Sequence, residues 1–223
     1  GSIITDLQNA DMVLIGGDGD HKSELSQIYE KIQMGYISSS LYFMSTKAAE
    51  VTKIALNCFL TTKISYANML GQVLTMSGME DEIDNVLNSI GSDRRVGKKY
   101  LKYGFGFGGP CFPRDNRAFA SYASKVGVDH NIGHVTDAFN EEHATFLKEY
   151  FIYKNKKKIP FFFNYLTYKP NTDILTESQQ YRLCLNLLNE GYIVYCADSS
   201  LKDQCDPRIV YEDPTEQVFE IKL

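Results

Sequence analysis

The stretch "AAEVTKIALNCFLTTKISYAN", residues 48–68, decides how the rest of the chain is read. Its helical periodicity continues on both sides, over residues 45–78, with Ser45 or Thr46 able to cap the start and Gly78 the end. At 1.5 Å per residue such a helix is about 45 Å long, beyond the ordinary globular range. Val51, Ile54, Ala55, Phe59, Leu60, Ile64, Met69 and Leu70 do not share one face. A helix apolar most of the way round must be covered on most sides, and a second copy of the chain is a natural cover. A homodimer is therefore expected. Lys53 and Asn57 are four apart and project from one side. On spacing alone, an edge lysine with a snorkelling stem is favoured over a functional cation.

Working outward, residues 12–17 read as a short buried strand, followed by a helix with Leu25, Ile28, Tyr29 and Ile32 on one face. The run Gly16-Gly17-Asp18-Gly19-Asp20 between them lacks GxGxxG spacing and reads as a plain turn. Beyond the long helix, helical patterns cover 82–90, 117–126 and 132–153, and Lys156-Lys157-Lys158 reads as a solvated linker. The pattern then changes to strand (159–166), helix (178–188) and strand (192–196), which means a parallel sheet. The expected fold class is α/β: a central all-helical dimerisation domain followed by a partial Rossmann-like parallel-sheet domain. The expected boundaries are 1–44, 45–154 and 155–223.

Composition narrows the function. The chain has 223 residues, 43% hydrophobic and 23% charged, with a net charge of −5. That balance does not suggest nucleic acid or an anionic membrane surface. No apolar run approaches the ~18 residues of a membrane span. The five cysteines (58, 111, 184, 196 and 205) are scattered without a CxxC, which argues against zinc and against a disulfide framework. A reducing, cytoplasmic compartment is expected. His21, His130, His134 and His143 show no third-ligand spacing; they read as surface or packing residues, and no metal is expected.

The chemistry concentrates in "GFGFGGPCFPRDN", residues 104–116. Four glycines in six residues leave backbone N–H groups able to approach a ligand closely. Tyr100, Lys102 and Tyr103 precede them, and Arg94 and Arg95 lie just upstream. Cations, aromatics and free donors together suit a nucleotide diphosphate. Cys111 follows between Pro110 and Phe112-Pro113, so its backbone is stiff. On local sequence alone it reads equally as a nucleophile and as a packing residue. Cys58, Cys184 and Cys196 lie in apolar periodic stretches and read as core.

These segments together resemble the UDP-glucose/GDP-mannose dehydrogenase family. "GFGFGGPCFPRD" is similar to its active-site pattern GxGFGGxCxxKD, and residues 48–68 to its long central helix. "GSDRRVGKKYLKYG" resembles its nucleotide-sugar loop, and "YKPNTDILTES" (168–178) the start of its C-terminal domain. The resemblance implies NAD-dependent four-electron oxidation of UDP-glucose to UDP-glucuronate, with UDP-N-acetylmannosamine or GDP-mannose as alternative substrates. Of another class is the alternative of a dimerising UDP-sugar-binding module without catalysis.

By the same resemblance, Cys111 traps the C6 aldehyde as a thiohemiacetal and then carries a thioester. Lys53 and Asn57 stabilise oxyanions, and Asp115 orients or deprotonates water. Arg95, reaching in from a neighbouring subunit, would contact the nucleotide-sugar together with Tyr100, Leu101, Lys102, Tyr103, Gly104, Phe105, Gly106, Phe107, Gly108, Tyr168 and Lys169. Gly109 and Arg114 fall on cofactor-side positions. Three departures stand out. Only the tail of the family's N-terminal dinucleotide domain is recognisable, Thr176 replaces an arginine that contacts the cofactor, and Tyr165 stands where glycine is usual. An inactive fragment with an intact thiol site and a poor NAD site is expected.

Overall fold

The computed structural model describes residues 3–17, 19, 21–32 and 40–223. These form two compact units, Gly1–Leu56 and Asn57–Leu223. The architecture is a helix-rich α/β fold with small parallel sheets.

In the first unit, helix α1 (Ile3–Gln8) precedes strand β1 (Met12–Gly16), helix α2 (Lys22–Ile32) and strand β2 (Ser40–Met44). β1 and β2 pair in parallel from Met12↔Ser40 to Gly16↔Met44. Neither α1 nor β2 is legible in the hydrophobic pattern. The expected α2 forms, but it buries none of its side chains, and Ile28 stays 50% exposed. Gly19 has φ +92°, in keeping with a turn; Asp18 and Asp20 lie outside the described residues.

Helix α3 (Thr46–Met76) has 31 residues. Of the two expected caps, Ser45 does the work, its Oγ accepting from Ala48 N–H. At the far end Gly78 takes φ +73°, the Met79 N–H reaches the Leu74 carbonyl (2.8 Å) and the Gly78 N–H that of Thr75 (3.1 Å). This is a Schellman closure, which an L side chain at position 78 would strain.

The second unit holds the later part of α3, then α4 (Ile83–Ser92), α5 (Phe112–Lys125) and α6 (Ile132–Lys154). β3 (Phe161–Phe163), α7 (Gln179–Asn189), β4 (Val194–Cys196) and β5 (Phe219–Glu220) follow. The sheet is parallel in the order β4-β3-β5. β3 is much shorter than the 159–166 read from sequence, because Pro160 stands at one end and the chain turns away after Phe163. α5 begins five residues earlier than the periodicity suggests. Pro113 is in its first turn, where proline's missing N–H is harmless and its φ already helical.

Leu147 and Phe151 of α6 pack with Phe161, Phe163, Leu183, Leu187 and Val194 in one core; Ala67, Leu74, Ile83, Leu87 and Leu101 form a second. The buried face of α3 departs from expectation. Within the second unit it carries Cys58, Thr61, Ser65, Ala67, Asn68, Gly71 and Leu74, whereas Phe59 and Met69 are 62% and 40% exposed.

Candidate active site

Cys111 occupies the cap position of α5 and is exposed. It lines a cavity of about 350 Å³ with Gly106, Phe107, Gly108, Tyr168 and Lys169; Tyr100, Ile64, Pro110 and Phe112 complete the wall. One turn along α5, the Asp115 N–H donates to the Cys111 carbonyl (2.9 Å), so thiol and carboxylate belong to the same helical turn. The Asp115 carboxylate is 3% exposed and accepts from Asn57 Nδ2 at 2.7 Å. Arg114 Nε and Nη2 reach its Oδ1 at 2.9 and 2.8 Å. That partner holds the Arg114 guanidinium above its usual pKa. Asn57, Cys111 and Asp115 are thus brought together, while Lys53 is exposed on α3 in the first unit.

The next residue, Asn116, anchors this arrangement. Its Oδ1 accepts from Thr61 of α3 (2.9 Å) and Thr136 of α6 (3.1 Å), and its Nδ2 donates to the Gly133 carbonyl (2.8 Å). Fully buried, it ties the start of α5 to two helices at once. Polar groups so buried hold their geometry because every alternative leaves one unpaired.

The glycine loop departs from the sequence reading. Three of its amides are already committed: Gly104 N–H to Asn68 Oδ1 (3.0 Å), Phe107 N–H to Asn140 Oδ1 (2.9 Å) and Gly109 N–H to the Thr176 carbonyl (3.1 Å). They are not free for a diphosphate. The glycines answer to close packing as well. Gly109 has φ +79°, and a Cβ there would lie 2.6 Å from the Tyr168 ring; one on Gly108 would meet the Glu177 carbonyl.

The remaining expected site residues divide by position. Leu101 is buried in the second core, Tyr103 and Phe105 pack against the sheet core, and Lys102 is exposed. Arg95 is exposed and grips Asp93 through Nε (3.0 Å) and Nη2 (2.7 Å). Its turn is tied to α3 by Lys63 Nζ, which donates to the Val96 and Gly97 carbonyls. Tyr100 holds φ +62°, rare for a bulky residue, with its ring edge-on to Phe112. Lys169 lies 5.4 Å from the Tyr168 ring centre.

Asn68, Asn140 and His143 carry no assigned role in the sequence reading, yet they hold the loop. Of its two readings, surface or packing, the fold selects packing for His143, which is fully buried. Its Nε2 lies 2.7 Å from the Gly104 carbonyl and its Nδ1 2.7 Å from Gln72 Nε2. The ring is stacked between Phe139 and Phe146 and meets Tyr103 edge-on. Those partners fit the neutral tautomer with Nε2–H donating. The signal that reveals these residues is polar periodicity: 61, 65, 68 and 72 on α3, and 136, 140 and 143 on α6, fall on single helical stripes.

Burial pushes the His143 pKa below its usual value near 6.5. The unfolded chain therefore binds the extra proton first as pH falls. The stabilisation is complete above about pH 6.5 and is lost from there down through the depressed folded pKa, with a slope of at most about 1.4 kcal/mol per pH unit. Urea unfolding at pH 7.5, 6.5 and 5.5 should show wild type losing more stability than His143→Gln over that range. Equal losses would remove His143 as the cause.

The central-domain model of the UDP-glucose/GDP-mannose dehydrogenase family matches residues 47–142. A UDP-glucose 6-dehydrogenase from Pseudomonas aeruginosa is 32% identical over 203 residues, 89% of this chain and 44% of that protein. One from Haloferax volcanii is 30% identical, over 86% of this chain and 44% of its own length. The chain thus spans less than half the length of these curated relatives. The solved UDP-glucose dehydrogenase of Pyrobaculum islandicum superposes with a TM-score of 0.78 at 26% identity, over 94% of this chain and 49% of that one.

Proposed function

Because the chain belongs to the UDP-glucose/GDP-mannose dehydrogenase family, we propose that it serves the oxidation of UDP-glucose to UDP-glucuronate, with Cys111 as the covalent nucleophile. The observation that carries this reading is an exposed thiol on a cavity wall, with the buried Asp115 one turn along the same helix and bonded to Asn57 of α3. The residues named for the cofactor do not fit NAD as they stand: the Gly109 N–H is bonded to Thr176 and Arg114 is paired with Asp115. In the family, two molecules of NAD⁺ each accept one hydride.

In this reading the Cys111 thiolate adds to the C6 aldehyde carbon, and the carbonyl π pair becomes an oxyanion. The second N–H of the Asn57 amide supports that charge. Were a thioester formed, Asp115 would take a proton from the water whose oxygen bonds to the carbonyl carbon, the C–S bond would break and the Cys111 thiolate would leave. Tyr168, Lys169 and the loop from Tyr100 to Gly108 hold the nucleotide-sugar. The three-part division at 1–44, 45–154 and 155–223 belongs to the same proposal.

The partner is a second copy of this chain. On α3, Phe59, Tyr66, Met69, Val73 and Met76 are 62%, 44%, 40%, 51% and 79% exposed and recur at heptad spacing. Such a seam suits helix pairing. Calorimetric titration with UDP-glucose, UDP-N-acetylmannosamine and GDP-mannose tests the substrate class, and sedimentation of the same sample tests the dimer. The expectation is a dimer that binds UDP-glucose at least about tenfold more tightly, 1.4 kcal/mol, than GDP-mannose. Preference for GDP-mannose would overturn the substrate assignment. Binding with an unreactive Cys111 would favour the non-catalytic module.

A further inference from the structure

We infer that Asn140 is a positioning residue that holds the glycine loop in the form that receives the nucleotide-sugar, a role resting on the function proposed above. Its side-chain amide closes on both backbone groups of one residue: Oδ1 accepts from Phe107 N–H at 2.9 Å and Nδ2 donates to the Phe107 carbonyl at 3.0 Å. A neighbouring β-strand would offer the same pair of bonds. Among the described residues the loop has no such strand; elsewhere it is tied by Asn68 at Gly104 and Phe105, by His143 at Gly104 and by the Thr176 carbonyl at Gly109. Asn140 is 5% exposed and is not part of the cavity wall, whereas Gly106, Phe107 and Gly108 are. It acts through the loop and not on the ligand.

The clamp also accounts for one glycine. A Cβ at position 106 would run into Asn140 Oδ1, so Gly106 is the residue that lets the amide reach Phe107. A segment this rich in glycine has many accessible conformations when untethered. Apparent affinity falls in proportion to the fraction of molecules holding the competent one. Releasing the clamp therefore weakens binding without touching any group that meets the ligand. Cys111 stands outside this effect, because the start of α5 is held separately by Asn116.

The test compares wild type with Asn140→Leu, which keeps the approximate volume and loses both bonds, and Asn140→Asp, which keeps only the acceptor. UDP-glucose affinity, amide exchange at Phe107 and ligand-free alkylation of Cys111 are measured on each. Asn140→Leu should weaken UDP-glucose binding about tenfold or more, with Asn140→Asp between it and wild type. Phe107 exchange should accelerate in the same order, and Cys111 alkylation should stay within about twofold of wild type. Gly106→Ala, pressing on the clamp from the loop side, should reproduce the loss and provides the answer if Asn140→Leu does not fold. If wild type binds UDP-glucose and the variants bind it equally well, the positioning role is overturned and the proposed function stands. If alkylation of Cys111 and of buried Cys184 rises together with the affinity loss, Asn140 is only structural. If wild type fails to bind UDP-glucose, the proposed function falls and this role falls with it.

Discussion

Iodoacetamide near neutral pH will label Cys111 at least about 100-fold faster than Cys184 or Cys196, and saturating UDP-glucose will slow the Cys111 reaction at least about tenfold. The contrast follows from placement. Cys111 is exposed at the head of α5, whereas Cys58, Cys184 and Cys196 are 2%, 0% and 2% exposed. Burial pushes the Cys196 thiol up to about 11 and Cys184 higher still. A thiol titrating near 11 is ionised at pH 7 in roughly one molecule in 10,000, before any loss of access is counted. Cys205, half-buried and raised by burial, is the internal comparison. Protection by UDP-glucose follows if the sugar end enters the cavity that Cys111 lines. Peptide-resolved mass spectrometry over time gives each rate separately. Rapid labelling of Cys184 would contradict the packing of α7 on the sheet. A reactive Cys111 that UDP-glucose does not shield would remove the nucleotide-sugar from this cavity.

The largest stability effect is expected for Phe161→Ala, about 3–5 kcal/mol, the range for truncating a buried phenylalanine. Phe161 is fully buried on the central strand and pairs with Val194 on one side and Phe219 on the other. Its ring meets those of Tyr192 and Phe219 edge-on at 4.9 and 5.5 Å. Removing it leaves a void where strands β4 and β5 both lean. Phe162→Ala, half-buried on the opposite face, should lose clearly less. Tyr168 and Lys169 follow a few residues after β3, so loosening the sheet should also weaken UDP-glucose binding. Urea unfolding of the two variants measures the difference; a loss under about 1 kcal/mol for Phe161→Ala would contradict its place at the centre of the core.

The candidate site was legible to the extent that its residues are neighbours in sequence. Cys111 and Asp115, four apart, needed only the helix that joins them, and Asn57 followed from the long-helix motif. The loop's internal logic was not legible. Glycines at 106, 108 and 109 suggest free amides when nothing is known of Asn140, Glu177 and Tyr168, which press against them in the fold. Strands were legible where β-branched and aromatic runs were flanked by turns, as in β3 and β4. They were missed where pairing alone makes a strand, as in β5 (Phe219–Glu220).

By itself, the sequence determined the α3 helix with its caps, the parallel strand–helix–strand near the C-terminus, the glycine–cysteine segment as the candidate site and the family. These rest on local periodicity, cap chemistry and short motifs, which act over a few residues and can be read along the chain. Only the tertiary structure decided which face of α3 is buried. A row of Thr61, Asn68 and Gln72 meets Asn116, the loop and His143, while several apolar residues remain outside. A polar side chain is stable in the interior only when its partner is brought to it, and those partners lie 36–71 residues away. Hydrophobic pattern cannot show that pairing, because the burial of such groups depends on the partner and not on the residue type.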